Sequence, residues 1–282
     1  MVNAQSECFL GMKKKVVIIT GASSGIGFEL ALEFGRNKYK VWATSRNPGK
    51  FGNLRKSAKK EKISIEFLKI DLNNRKSIDR AIKKILKKEK RVDVLVNNAG
   101  YGLIGSVEDT PIEDLISLFE TNFFGAYYIT QQLLPWMRKR KRGTIVNIGS
   151  MAGIYAFAGL SGYSATKWAM EAFSESLYLE TKQFGIRVML VTPGRVKTHF
   201  KKNSVEIWKQ LKNTAYKSVY LKYKKRRFGY LVMSPQKLAR LTVESVEEEN
   251  PPLRQTVGLE AWIMQKARNW LPEKVILWLS GL

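Results

Sequence analysis

The sequence has almost no cysteine and almost no histidine. Cys8 is the single thiol, so no internal disulfide can form, and this usage fits a reducing compartment. His199 is the single imidazole, which excludes a histidine-rich metal site; it reads as a loop residue, and no metal is expected. Long apolar runs are missing as well. No stretch approaches the ~18 residues of a membrane-crossing helix. The first eleven residues lack the basic start and apolar centre of a secretory signal. Acidic residues are scarce: 24 against 49 lysines and arginines, a formal net charge of +25. Nucleic acid or an anionic membrane would suit that charge. The basic residues are nevertheless spread over 83–91, 138–142 and 217–227, at helix ends or on exposed faces, and no nucleic-acid module is visible. Solvated helix faces are therefore expected, with no specific nucleic-acid partner.

What is present is ample for a core. The chain has 282 residues, 44% of them hydrophobic, enough for one large α/β domain. Residues 1–12 are expected to be a disordered extension and 13–282 a single catalytic domain. Met12, directly before the first strand, is an alternative translation start that the sequence leaves open.

Strands and helices alternate along the chain. Apolar, β-branched runs predict strands at 16–20, 39–45, 63–70, 92–96, 144–148 and 186–192. Helical patterns fall at 28–37, 77–88, from Thr110 through Asn122 to about Arg140, and from about Gly162 to Glu180. Thr110-Pro111-Ile112-Glu113 has the form of a capping box with proline at the first helical position. This alternation predicts a doubly wound parallel sheet with helices on both faces, a Rossmann-type α/β fold.

The stretch 143–167 carries the densest chemical signal. A predicted strand ends just before Ser150, and a helix then carries Tyr163 and Lys167 four residues apart, on one face. A phenol has a pKa of roughly 10, and a neighbouring cation favours its ionised form. The pair is a proton donor and acceptor by chemistry, although Tyr-x-x-x-Lys alone is common and also fits an ordinary amphipathic helix. The second signal is Gly21-Ala-Ser23-Ser24-Gly25-Ile26-Gly27, placed between a predicted strand and helix. Glycines there allow a tight turn and close approach of a pyrophosphate, and the helix start offers N–H groups to it. Thr44-Ser45-Arg46 ends the second strand, where a carboxylate would grip an adenosine ribose. Ser45 removes the repulsion of a 2′-phosphate, and Arg46 can bond one, which favours NADP(H) over NAD. A plain surface arginine is the competing account.

Taken together, the glycine loop, Asp71, Asn97-Asn98-Ala99-Gly100, Asn122, Ser150, Tyr163, Lys167 and Pro193-Gly194 resemble the short-chain dehydrogenase/reductase family. The resemblance spans about 13–199. Pro252-Leu-Arg, Val257-Gly258 and Trp270-Leu-Pro272 more loosely resemble its 17β-hydroxysteroid dehydrogenase-like and retinol dehydrogenase-like subgroup. The resemblance implies an oxidoreductase moving a hydride between NADP(H) and a hydrophobic ketone, aldehyde or secondary alcohol. Tyr163 would be general acid and base, Lys167 would lower its pKa and hold the nicotinamide ribose, and Ser150 would bond the reacting oxygen. Asn122 would hold a water linking Lys167 to solvent. Asp71 and Leu72 would flank the adenine, and Asn98, Ala99 and Gly100 would line the cofactor. Pro193, Gly194, Val196 and Thr198 would hold its nicotinamide end. It also implies a homodimer or homotetramer, expected here through the helices of Asn122 and Tyr163, given Phe123, Phe124, Tyr127 and Tyr128.

Residues 199–229 are expected to form a substrate lid. Its Phe200, Trp208, Tyr216, Tyr220, Tyr223 and Phe228 would make an aromatic pocket or simply pack a helix. The helical tail 259–282 has an apolar side with Trp262, Ile263, Trp270, Val275, Ile276 and Trp278. Covering the pocket, packing on a partner subunit and resting on a membrane surface all stay open for it. The expected location is cytoplasmic, with membrane association if the tail is used that way. A basic cofactor-binding scaffold without turnover is the alternative function; it would not require Asn122, Ser150, Tyr163 and Lys167 together. An epimerase or dehydratase is disfavoured by the glycine spacing and the modest length.

Overall fold

Four consecutive apolar residues, Val16–Ile19, form strand β1, and all four are buried. Burial on both sides is what a central parallel strand requires. This computed structural model describes residues 14–198, 200–225 and 232–281. The N-terminal extension, Cys8, Met12, His199, Phe228 and the side chain of Trp278 lie outside the described residues.

The remaining strands are β2 (Lys40–Ser45), β3 (Ile65–Lys69), β4 (Val94–Asn97), β5 (Leu103–Ile104), β6 (Gly143–Ile148), β7 (Ile186–Pro193), β8 (Val205–Glu206) and β9 (Arg254–Val257). The helices are α1 (Gly25–Arg36), α2 (Gly52–Lys60), α3 (Arg75–Glu89), α4 (Ile112–Phe119), α5 (Gly125–Lys139), α6 (Ser161–Thr181), α7 (Phe200–Asn203), α8 (Lys217–Lys225), α9 (Pro235–Glu247), α10 (Leu259–Trp270) and α11 (Glu273–Gly281). The described residues form a seven-stranded sheet in the order β3-β2-β1-β4-β6-β7-β9, and every pairing is parallel. The order reverses between β1 and β4, and crevices at such reversals, outside the carboxyl ends of the strands, are where open α/β sheets bind ligands.

Alternate residues of each strand face opposite layers. Val17, Ile19, Val41 and Val191 pack with Leu30 and Phe34 of α1 and Leu238 and Val243 of α9. Val16, Ile18, Leu95 and Ile145 pack with Ile78 and Ile85 of α3, Ile129 and Leu133 of α5 and Leu177 of α6. The result is a single Rossmann-type domain of three layers, as the alternation predicts.

Three sequence expectations change. The Thr110–Glu113 capping box does not form: α4 starts at Ile112 with no side-chain cap, and the Thr110 hydroxyl donates to the Ser106 carbonyl at 2.6 Å. A bend in the preceding chain outcompetes the cap. The long helix through Asn122 is interrupted by a π-helical turn at Glu120–Phe124. Strand β9 is a polar-sequence edge strand that periodicity does not show.

Candidate active site

The end of β1 is tied to the end of β4 by one hydroxyl. Thr20 Oγ1 donates to the Val96 carbonyl at 3.2 Å and accepts from the amides of Asn98 and Ala99 at 2.9 and 3.0 Å. Asn98 Nδ2 returns the contact by donating to the carbonyls of Thr20 and Gly21, at 2.8 and 3.2 Å. This pins the glycine loop down. Gly21 has φ +67°, and a Cβ there would sit 2.8 Å from the Ala99 Cα. A Cβ on Gly27 would fall 2.4 Å from Asn98 Nδ2 and 2.6 Å from the Gly21 carbonyl. Only glycine fits both positions. Ser24 is the N-cap of α1 but makes no side-chain cap bond, and it is exposed. The first-turn amides around Ser23, Ser24, Gly25 and Ile26 are therefore left without a side-chain cap, as at helix starts that can take an anion.

Beside this loop lie the ends of the next strands. Ser45 is buried at the end of β2, where its hydroxyl bonds the Asn47 backbone. Arg46, the next residue, is exposed and makes no ion pair with an acid among the described residues. Asp71 follows β3; its amide donates to Ser77 Oγ at 3.1 Å and its carboxylate accepts from the Asn73 amide at 3.1 Å. The Leu72 side chain is buried in the layer of α3 and α5, so any adenine contact there falls to its backbone. Gly100 faces Asn122: a Cβ would sit 3.0 Å from Asn122 Oδ1.

Ser150 caps a short helical turn just past β6 and accepts from the Ala152 amide at 3.1 Å. Tyr163 lies in the first turn of α6, buried, with Ser150 near its phenol. Burial pushes the Tyr163 phenol up to about 12, and Ser150 opposes part of that rise. The sequence expectation was the reverse, a phenol lowered by Lys167. Lys167 shares the face but bonds elsewhere: its ammonium donates to the Ile148 carbonyl at 2.9 Å and lies 5.9 Å from the Tyr163 ring centroid. Burial pushes the Lys167 ammonium down to about 8, with Glu171 pulling the other way.

Asn122 sits in the π-helical turn, and its side chain is fully engaged. It accepts from the Tyr101 amide and donates to the Tyr101 carbonyl, both at 3.0 Å, and donates to Thr166 Oγ1 at 3.2 Å. It thereby links the segment after β4 to α6, one residue before Lys167. A π-turn also leaves main-chain carbonyls outside the regular helical ladder.

The loop after β7 closes the group. The Gly194 amide donates to the Val257 carbonyl at 2.8 Å, and 195–197 pair with Met233 through Val196. Thr198 lies 3.6 Å from where a Gly25 Cβ would project, so this loop meets the glycine loop. The Phe200 ring packs on Tyr163 at 5.5 Å between centroids. With Leu103, Phe157, Ile207 and Leu211 it makes an apolar surround for the tyrosine. Other lid aromatics hold the lid instead. Tyr220 donates to Asp109 and accepts from Ser106 Oγ at 3.1 Å, Tyr216 donates to Glu108 at 2.8 Å, and Trp208 stacks on Tyr220. The described residues hold no group of three or more side chains suited to a metal.

Sequence reading missed two supports. Glu171, one turn after Lys167, is buried and receives Arg254 of β9 at 3.1 Å. Spacing from Lys167 placed it on the right face, but its partner comes from a strand that was not predicted. Asn97 donates to Asn147 at 2.9 Å and to Thr130 at 3.1 Å, and Asn147 donates to Ser174 at 2.8 Å. Two asparagines closing adjacent strands were the available signal.

Comparison with known proteins agrees with this geometry. Residues 15–208 match the family model described as short chain dehydrogenase. The chain is 35% identical over 271 residues to a 3-ketodihydrosphingosine reductase of Bacteroides thetaiotaomicron, covering 94% of this chain and 96% of that protein. It is 35% identical over 256 residues to retinol dehydrogenase 8 of Bos taurus, covering 85% of this chain and 80% of that protein. A short-chain dehydrogenase from Streptomyces avermitilis superposes with TM-score 0.84 at 33% identity, over 96% of each chain. One from Sphingobium yanoikuyae in complex with NADPH superposes with TM-score 0.70 at 25% identity, over 86% of this chain and 87% of that one.

Proposed function

The chain belongs to the short-chain dehydrogenase/reductase family, with relatives in its retinol dehydrogenase-like subgroup, and on that premise we propose that it uses NADP(H) to interconvert hydrophobic carbonyls and alcohols. The family makes it an NAD(P)-dependent oxidoreductase acting on a small molecule. The observation that carries the finer reading is the buried Tyr163 phenol, set near Ser150 and walled by apolar side chains.

The glycine loop supports a dinucleotide: Gly21 and Gly27 let the loop lie tight against Ala99 and Asn98, and the α1 start offers the amides a pyrophosphate would meet. Bound there, the cofactor supplies or takes a hydride at the substrate carbon. The chain's own residues handle the oxygen. In reduction, Tyr163 gives its proton to the carbonyl oxygen while Ser150 bonds that oxygen; in oxidation, Tyr163 takes the hydroxyl proton back. Lys167, anchored to Ile148, would set the field around the phenol and hold the nicotinamide ribose. Any water that Asn122 holds towards Lys167 would have to meet its main chain, because the side chain is occupied. Ser45 and Arg46 favour NADP(H), since the exposed guanidinium can bond a 2′-phosphate where a carboxylate would repel it. NADPH in the Sphingobium yanoikuyae complex fits that choice. The names of the two relatives, 3-ketodihydrosphingosine reductase and retinol dehydrogenase 8, point to lipophilic substrates, as does the surround of Leu103, Phe157, Phe200 and Ile207.

The test is NADPH oxidation against a panel of ketones and aldehydes of increasing apolar size. Turnover should rise with apolar substituents. No turnover with any carbonyl, or a preference for small hydrophilic ones, refutes the reading.

A further inference from the structure

Helix α10 turns its apolar stripe away from its own protein. Leu259, Trp262, Ile263 and Trp270 recur at the spacing of one helix face. Each is at least half exposed, Trp270 at 83%. The opposite face does the packing. Ala261 is buried beside Gly194, Met264 joins the cluster of Ile154 and Tyr155, and the Gln265 side chain bonds Thr256. An ordinary surface helix has these faces the other way round. On helix α11 Leu277 is also more than half exposed, while Ile276 packs inward. Within the stripe sits Lys266, its Nζ 6.0 Å from the Trp262 ring.

We propose that this C-terminal face docks the protein on an anionic lipid bilayer. Tryptophans with a lysine on one exposed face suit the boundary between headgroups and acyl chains: the rings enter it, and the lysine stem lies along it with its charge at the phosphates. No helix of the described residues is long and apolar enough to cross a membrane, so the face lies on the bilayer. The net charge of +25 draws the whole body to an anionic surface. A second copy is a poorer occupant, because a two-fold contact would set Lys266 near its own counterpart inside an apolar seam.

The docked face is also fixed relative to the active site. Val257 pairs with Pro193, and a Cβ on Gly258 would lie 3.7 Å from Gly194, directly before α10 begins. Docking therefore holds the loop after β7 next to the bilayer, where a lipophilic substrate is dissolved. Docking itself does not depend on the substrate reading, because vesicle binding is measured without turnover.

The experiment is co-sedimentation of the full chain with phosphatidylcholine vesicles, with and without phosphatidylglycerol, at low and physiological salt. Three proteins are compared: wild type, Trp262→Ser/Ile263→Ser/Trp270→Ser, and a charge control, Lys83→Gln/Lys84→Gln on α3. Wild type should bind phosphatidylglycerol vesicles at both salt concentrations. The triple variant, folded by circular dichroism, should bind them about a hundredfold more weakly, and the control nearly as well as wild type. Equal binding by the triple variant, or wild-type binding that vanishes at physiological salt, overturns the proposal. So does a triple variant that loses self-association in sedimentation velocity while keeping vesicle binding; the stripe would then be a subunit contact.

Discussion

Lys167 donates a 2.9 Å hydrogen bond to the main-chain carbonyl of Ile148. The bond joins the second turn of α6 to the last residue of β6, two residues before Ser150. It holds a buried ammonium in place by backbone, without needing the phenol. Burial has lowered its pKa from 10.5 to about 8. Between those values the unfolded chain binds more protons than the native one, so stability should rise with pH across that window. Below about 8 the full cost of burying the cation is present. Lys167→Met should remove this rise, as followed by urea unfolding at a series of pH values. A slope unchanged in the variant would mean that another group titrates.

Tyr163 is pushed the opposite way, up to about 12, and so keeps its proton at neutral pH. Reduction uses that proton, whereas oxidation needs the phenolate. Reductive kcat/KM should therefore be level around neutrality, while oxidative kcat/KM climbs about tenfold per pH unit until Lys167 loses its charge near 8. Tyr163→Phe should cut both directions by about 10²–10⁴-fold and leave NADPH affinity largely intact. More than half of wild-type turnover in the variant, with chemistry rate-limiting, would remove Tyr163 from the mechanism.

Arg46 is exposed at the end of β2, where a 2′-phosphate would arrive. Its contact with one would be a charge-assisted hydrogen bond, a class of roughly 1.5–3 kcal/mol. Arg46→Ala should weaken NADPH by about tenfold or more and NADH little. Equal losses for both cofactors in a fluorescence titration would show that Arg46 does not read the phosphate.

The sheet was legible because its central strands are short β-branched runs buried on both faces, as in Val16–Ile19. The polar edge strand Arg254–Val257 carries no such run and escaped. The placement of Ser150 after β6 and of Tyr163 and Lys167 on one helix face could be read from spacing, since a strand end and one helix face are local features; their expected roles came from the family resemblance. Their bonding could not be read from spacing. The Ile148 carbonyl competes for the lysine, and Phe200 reaches Tyr163 from 37 residues further along the chain. The π-turn at Asn122 is likewise invisible in Glu120–Phe124, because it goes with a contact to the backbone of Tyr101.

Phe124 of the π-turn and Tyr127 of α5 are 44% and 46% exposed, and Trp168 of α6 is 38% exposed. Phe123 and Tyr128 are used internally: Phe123 packs on Phe173, and Tyr128 donates to Asp79 at 2.8 Å. The exposed pair is the surface expected to join subunits through α5 and α6. Phe124→Glu/Tyr127→Glu should shift the protein towards monomer in sedimentation velocity at micromolar concentration. A wild type that is already monomeric, or a double variant with unchanged association, would move the interface elsewhere.

Asp93 is a buried carboxylate gripped from three sides. It accepts from the Val16 amide at 2.7 Å, from Arg91 at 2.8 Å and from Arg140 at 2.8 Å. Burial alone would raise its pKa, but the Arg140 bond, the Val16 amide and the charge of Arg91 outweigh it and hold the carboxyl below its usual 3.8. A carboxylate with a depressed folded pKa adds stability above its unfolded value and loses it as pH falls through the folded one. The wild type should thus lose stability as pH drops below about 4, in the part of the titration that Asp93 controls. Asp93→Asn keeps an acceptor for Val16 but removes the charge that Arg91 and Arg140 bond, at a cost of about 3 kcal/mol near neutrality. In the variant the gap to wild type should narrow steadily as the medium is acidified, when measured by urea unfolding at fixed ionic strength. A gap that stays constant from neutral to strongly acidic pH would show that the carboxylate's charge is not what Asn fails to replace.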